Sequence, residues 1–223
     1  MTRTEAGTRT ERAVQGLESG SPSVRLRAAL AVGTAPDPGF IGPLVERCAV
    51  EPDFSVREML TWALTRHPAS MTVPVLVGEV RAQSAQARSQ ALHTLSKIGD
   101  RRAWPAITPA LLSDADDEVA RSAWRAAVVL VPEGEEFELA IAMAAQLGRG
   151  DRETRLSLSR ALVALGETGG PAVSAATNDP DLRVCAHAIA TERLRRDPDA
   201  GFESAIEHAK RVVALSTAGR EER

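Results

Sequence analysis

The chain has 223 residues, of which 43% are apolar, 3% are aromatic and 26% are charged. An apolar fraction of this size supports a folded core and excludes a globally disordered chain. The scarcity of aromatic residues favours close helix packing through Ala, Leu and Val. The formal net charge of −3 at pH 7 disfavours a general nucleic-acid binder, which would carry an excess of basic residues.

The sequence carries no signal for export, membrane insertion or disulfide bonding. Residues 1–12 are polar and charged with no apolar run behind them, and no stretch approaches the roughly 18 apolar residues of a membrane span. Cys48 and Cys185 are far apart and belong to no C-x-x-C pair, so both are interpreted as free thiols on apolar helix faces. We therefore expect a cytoplasmic protein that binds no membrane.

Apolar residues at helical spacing, separated by joints rich in Pro, Gly, Ser and Asp, predict helices along the whole chain. Asp53, for example, follows a proline and can accept hydrogen bonds from the first N–H groups of a new helix. The predicted helices, in chain order, are 10–17, 23–33, 38–50, 53–66, 73–81, 86–98, 103–112, 117–131, 135–147, 151–165, 171–176, 181–195 and 202–217. The first twelve are expected to form six antiparallel pairs.

One motif recurs at the start of the second helix of each pair. It reads apolar–Arg–x–x–small–x–x–(Ala or Thr)–apolar, and its first residue is counted here as position 0. These first residues are Val24, Val56, Ala87, Val119, Thr154 and Leu182, which are spaced by 32, 31, 32, 35 and 28 residues. A period in this range indicates a solenoid of stacked helix pairs. At about 100° per residue, positions +4, +7 and +8 share the stripe of position 0, which is expected to face the core.

The copies Asp53…Val56-Arg57…Ala63-Leu64 and Asp151…Arg155…Ala161-Leu162 make residues 9–195 resemble HEAT repeats, including the HEAT-like units of phycobilisome lyases. The resemblance implies an all-α fold, an α-solenoid (HEAT-like superhelix) of about six antiparallel helix pairs with a C-terminal capping helix. We expect a single domain over 9–218, with flexible segments 1–8 and 219–223. The expected repeats are 9–35, 36–68, 69–99, 100–132, 133–166 and 167–197, followed by the cap at 200–218.

The arginine at position +1 is interpreted as structural because it recurs in register. It is expected to pair with an Asp at a helix start of the same or a neighbouring repeat. The members of this predicted ladder are Arg25, Arg57, Arg88, Arg155 and Arg183. The fourth repeat departs from the motif, since it has Ala120 at +1 and Arg121 one place later.

The second helices of such arrays line the concave face, so positions +2, +3 and +6 are expected to form a binding groove. The predicted partner-binding residues are Leu26, Leu30, Met59, Trp62, His93, Arg121, Arg125 and Arg160. Exposed apolar side chains that lead into an arginine cluster are typical of an interaction surface. Two alternatives stay open. The apolar residues could be covered by a tight superhelix or by the N-terminal segment. The arginines could form a solvated face that balances the charge of the acidic joint 114–118. Trp104 and Trp124 are expected in the core.

The residue pattern predicts no catalytic residue, no metal site and no cofactor. The four histidines are scattered, and no nucleophile motif or phosphate-binding loop occurs. The acidic run 133–138 is interpreted as the solvated start of a helix. The favoured hypothesis is a non-catalytic scaffold or adaptor for protein–protein interaction, whose groove holds an acidic or amphipathic segment. Two alternatives remain. One is a DNA-binding enzyme similar to the HEAT-like alkylpurine glycosylases, with Glu58 near Trp62. The other is a small-molecule handling protein similar to the bilin lyases, with Trp62, Met59 and His93 lining the pocket.

Overall fold

The computed structural model describes residues 12–197 together with 206, 207, 209 and 211, and that part of the chain contains helices and no strand. The prediction of an all-α HEAT-like solenoid is confirmed. The helices are α1 (12–17), α2 (Pro22–Thr34), α3 (Ile41–Val50), α4 (Phe54–Thr65), α5 (Ala69–Glu79), α6 (Ala85–Ile98), α7 (Pro109–Leu112), α8 (Asp117–Leu130), α9 (Glu136–Ala144), α10 (Arg152–Ala164), α11 (Gly170–Ala176) and α12 (Leu182–Arg196). None of these helices is long and apolar enough to cross a membrane.

Side-chain caps mark the start of the second helices from α4 onward. The Asp53 side chain accepts from Val56 N–H at the start of α4, and the Asp151 side chain accepts from Thr154 N–H at the start of α10. These bonds satisfy backbone donors that have no partner inside a helix. The predicted second helices therefore agree with the structure to within a residue or two at each end.

The predicted first helix of the fourth repeat, 103–112, is wrong. The structure has a 3₁₀ segment, Arg101–Ala106, followed by the single turn of α7. Pro105 lies inside the 3₁₀ segment, and Pro109 occupies the first turn of α7 behind the N-cap Thr108. A proline lacks the N–H that an α-helix interior needs but is tolerated in a first turn, so the segment breaks where a continuous helix was expected.

The chain divides into an N-terminal unit, Met1–Ile107, and a C-terminal unit, Thr108–Arg223. In the N-terminal unit the second helices lie side by side, α2 against α4 and α4 against α6. Helix α3 packs against both α4 and α6, and α5 packs against α6. In the C-terminal unit α10 packs against both α8 and α12, and α9 contacts α11. Each unit is thus a stack of helix pairs. The single domain over 9–218 stays a prediction.

Two positions of the second helices are buried in every repeat. Position +8 was expected to face the core, and it holds Val32, Leu64, Leu95, Ala127, Leu162 and Ala190. Position +5 was not expected there, and it holds Ala29, Thr61, Leu92, Trp124, Ser159 and His187. The buried face is wider than the predicted stripe because a second helix packs against its own partner and against the neighbouring second helix. Trp124 lies in the core as predicted, whereas Trp104 is only half-buried.

The predicted cap helix, 202–217, lies outside the described residues except at 206, 207, 209 and 211, all of which are helical. Ala209 is fully buried in a cluster with Ala190 and Leu194 of α12, and Ile206 packs against this cluster. These contacts are those expected of a helix that covers the last repeat. The predicted flexible segments 1–8 and 219–223 lie outside the described part of the chain.

Candidate interaction surfaces and the contacts that shape them

The +1 arginines of the first three repeats close the joint in front of their own helix. Each guanidinium donates to the backbone carbonyl six residues earlier in the chain. The three bonds are Arg25 to Ser19 O at 2.8 Å, Arg57 to Glu51 O at 2.9 Å and Arg88 to Ala82 O at 3.0 Å. The predicted pairing with helix-start aspartates is wrong for Arg25 and Arg57, because an aspartate such as Asp53 uses its carboxylate to cap its own helix.

The last two members of the predicted ladder are bound differently. Arg155 Nε donates to the backbone carbonyl of Asp151 at 3.2 Å. Arg183 does pair with the carboxylate of a helix-start aspartate, Asp181, at 3.0 Å, but its side chain is 79% exposed. Such an exposed pair contributes little to stability. All five arginines thus bind within the scaffold, and in the sixth repeat the partner is an aspartate carboxylate at the helix start.

The fourth repeat replaces the missing +1 arginine with a residue from the next joint. Ala120 is buried at +1, and the carbonyl of Asp114, six residues earlier, accepts from a guanidinium nitrogen of Arg149. Arg149 Nε also donates to Asp117 Oδ1 at 2.9 Å.

Four predicted partner-binding residues lie on helices α2 and α4 of the N-terminal unit. Leu30 and Trp62 occupy position +6 of α2 and α4 and are exposed, whereas Leu26 and Met59 are half-buried. The Trp62 side chain rests on the backbone of Gly33 in α2, since a Cβ atom added there would lie 2.3 Å from Trp62 Cζ3. The indole ring therefore packs on the α2 backbone on one side, and the side chain remains 37% exposed.

His93 occupies the same +6 position on α6. Its Nε2 lies 3.2 Å from Oε1 of Glu58, which is one turn before Trp62 on α4. Since α4 packs against both α2 and α6, these side chains share one second-helix face. The name tryptophan patch is used below for Leu30, Glu58, Trp62 and His93.

Replacing Gly33 by alanine is expected to displace the Trp62 indole and to lower the free energy of unfolding by about 1–2 kcal/mol. Overpacking costs roughly 1–3 kcal/mol, and the better helix propensity of alanine returns up to about 1 kcal/mol. Urea denaturation measures the loss, and tryptophan fluorescence of the native protein reports the displaced ring. Gly78→Ala in α5 is the matched control, because an added Cβ meets nothing within 4 Å there; it should be neutral or stabilising. Equal effects of the two substitutions would contradict the inference that the Trp62 ring packs on Gly33.

The predicted arginines lie on second helices of the C-terminal unit. Arg121 and Arg125 of α8 both reach the exposed carboxylate of Glu118, at 3.4 and 3.6 Å. Arg125 also donates to Ser122 Oγ at 3.0 Å. Arg160 of α10 is exposed and forms no ion pair with any other side chain in the described part of the chain. Arg121, Arg125 and Arg160 are called the arginine face below.

Some positions expected to face outward are buried. Ser89 and Ser122, at +2 and +3 of their repeats, and Ala188 at +6 of the last repeat are all inside. Position +6 of the earlier repeats is therefore the most reliable outward column. The tryptophan patch and the arginine face belong to different units, and one continuous concave groove stays a prediction.

A buried polar network joins α10 to α12. His187 Nδ1 accepts from Gly148 N–H at 3.0 Å, while Nε2 contacts Arg155 O and Ser159 Oγ, each at 3.0 Å. Ser159 Oγ lies 2.8 Å from Thr191 Oγ1, which donates to His187 O. Burial lowers the pKa of His187 to about 4, and the Arg155 charge acts in the same direction. The ring is thus a neutral structural element.

Neither cysteine thiol is freely exposed. Burial raises the pKa of the Cys48 thiol to about 12, so the thiol is inert near neutral pH. Cys185 is half-buried, and its Sγ–H donates to Thr177 O at 3.0 Å. Within the described ranges, no group of three or more His, Cys, Asp or Glu side chains is arranged to hold a metal ion.

Residues 41–127 match a family model described as HEAT repeats. Among solved structures, human deoxyhypusine hydroxylase in complex with glycerol is 18% identical, with a TM-score of 0.46 over 93% of this chain and 96% of that chain. The complex of CpcE and CpcF of phycocyanin lyase from Nostoc sp. PCC7120 is 17% identical, with a TM-score of 0.36 over 92% of this chain and 94% of that chain. No curated protein matches the sequence.

Proposed function

From the premise that this chain is a HEAT-repeat protein, we propose that it is a non-catalytic scaffold or adaptor that binds a segment of a partner protein along its second helices. One observation carries this proposal: Trp62 is partly exposed although it is held in place on Gly33. A tryptophan that is already ordered loses little conformational freedom on binding and offers a large contact area. Leu30, which is exposed at the same position of the neighbouring helix α2, adds apolar surface.

The charged side chains on the second helices define the segment that would fit. An apolar side chain of the partner would pack on Trp62 and Leu30, and the Glu58–His93 pair would border it with polar groups. On the C-terminal unit, Arg125 and Arg160 are exposed and would attract carboxylates. Arginine is suited to this role because its planar guanidinium can bind a carboxylate through two hydrogen bonds. The proposed partner segment is therefore amphipathic and acidic.

Co-purification from the native host followed by mass spectrometry tests the proposal. The wild type should retain a stoichiometric partner, and Trp62→Ala combined with Arg125→Glu should lose it while the far-ultraviolet circular dichroism stays unchanged. Met71→Ala is the matched control, because Met71 is an apolar side chain of comparable exposure on a first helix of the N-terminal unit. The proposal is rejected if the folded double variant keeps the partner, or if the control loses it equally.

The alternative of a DNA-binding glycosylase-like enzyme would require the Glu58 carboxylate to act beside Trp62. In the structure that carboxylate instead faces His93. Binding of labelled duplex DNA at moderate salt separates the two functions. A scaffold of this net charge is expected to show no binding at micromolar protein concentration.

A further inference from the structure

Helix α9 of the C-terminal unit presents apolar side chains on both of its sides. Leu139, Ala140 and Met143 are buried and supply the core. Phe137 and Ile141, one turn apart on the opposite side, are 44% and 45% exposed. Residues four apart lie on one helix face, so these two side chains form a contiguous apolar strip that the core does not use.

The strip lies in an acidic stretch that contains no cation. Residues 131–148 include four glutamates and neither Lys nor Arg, and the neighbouring first helices α7 and α11 also lack both. Glu133 and Glu138 are exposed on either side of Phe137. The arginines described above lie on the second helices of this unit and in its joints. Helices α7, α9 and α11 therefore carry no basic side chain, and the charged groups on them are the glutamates of α9.

Helix α5 shows that the apolar strip alone does not define this surface. Met71 and Val75 are also four residues apart and are 45% and 40% exposed. The only acidic residue of α5 is Glu79 at its end. The two helices thus offer similar apolar strips, and the flanking carboxylates distinguish α9.

We propose that the face formed by Glu133, Phe137, Glu138 and Ile141 docks a basic amphipathic helix of a partner protein. Apolar side chains one turn apart on that helix would pack on Phe137 and Ile141, and its Lys or Arg side chains would reach the flanking carboxylates. Charge complementarity selects this occupant, since an acidic surface repels nucleic acids and anionic membranes. The surface is independent of the proposed function, which uses the second helices.

A fluorescein-labelled helical peptide of Leu and Lys, with about 18 residues or five turns, serves as the probe in anisotropy titrations. The wild type is expected to bind it in the micromolar range, and added salt should weaken the binding. Phe137→Ser with Ile141→Ser should weaken binding at least about tenfold. Glu133→Lys with Glu138→Lys, which alters no core residue, should do the same. The matched control, Met71→Ser with Val75→Ser, should bind like the wild type.

Three results would overturn the proposal. The first would be that a Leu and Glu peptide of the same pattern binds as tightly as the Leu and Lys peptide. The second would be that the α5 variant loses as much affinity as the α9 variant, with both shown to be folded by circular dichroism. The third would be a wild-type dimer in sedimentation that the Phe137 and Ile141 substitutions dissociate, which would make the occupant a second copy of this chain.

Discussion

Replacing Glu51 by alanine is expected to lower the free energy of unfolding by about 3–5 kcal/mol, the usual loss when one partner of a buried ion pair is removed. The Glu51 side chain is fully buried, and its two oxygens accept from Arg25 Nε and Nη2 at 2.6 and 2.7 Å. Arg47 Nε and the backbone N–H of Asp53 complete the set at 2.8 and 2.9 Å. Arg25 is itself buried, so the substitution would leave its charge buried without the Glu51 carboxylate.

The same contacts keep the Glu51 carboxylate ionised. Burial alone raises the pKa of Glu51, but hydrogen bonds from Arg25, from the Asp53 N–H and from Arg47 outweigh it and hold the pKa at about 2. The backbone carbonyl of Glu51 also accepts from Arg57 and from Gln86 Nε2. Glu51 thus connects residues of the first three repeats.

Urea denaturation followed by circular dichroism at neutral pH measures the loss. Arg183→Ala is the matched control, since this arginine has the same position in the motif but is 79% exposed in its ion pair; it should cost less than about 0.5 kcal/mol. The double variant Arg25→Met with Glu51→Leu removes both charges and should be more stable than Glu51→Ala. If Glu51→Ala costs no more than the control, the buried pair does not stabilise the fold as inferred.

The repeated motif predicted the architecture because every repeat meets the same packing requirement. The second helices and the buried +8 column follow from one period. The first helix of the fourth repeat did not follow, because Pro105 and Pro109 break it. The substitution of Arg149 for a +1 arginine could not be predicted either, since it depends on how two successive joints approach each other in space.

The candidate surfaces were predictable in part for the same reason. Period placed Leu30, Trp62 and His93 in one column, and the structure puts all three on one face. The sequence predicted a helix that ends at Gly33. It could not predict that the Trp62 ring packs on this glycine, because that contact depends on how α2 and α4 approach each other. Phe137 and Ile141 were assigned to a helical apolar pattern, and periodicity alone cannot show that α9 has more apolar side chains than its core face uses.

Lowering the pH from 7 to 5 is expected to cost about 2 kcal/mol of stability through His187 alone. Its pKa falls from the ordinary 6.5 to about 4 in the folded protein, so the unfolded chain binds more protons across this window. Stability is therefore complete above about pH 6.5 and declines as the pH falls toward 4. Protonation would also remove the lone pair on Nδ1 that accepts from the Gly148 N–H.

Comparison with His187→Gln isolates this contribution. The variant cannot titrate at this position, so its stability should change by about 2 kcal/mol less than that of the wild type between pH 7 and pH 5. Carboxylates with a lowered pKa, such as Glu51 at about 2, lose their contribution below this window and do not interfere. At pH 7 the variant is expected to be less stable than the wild type, because glutamine cannot reproduce all the ring contacts. If both proteins lose equal stability between pH 7 and 5, another group is responsible, and the neutral His187 ring is not the acid-sensitive contact between α10 and α12.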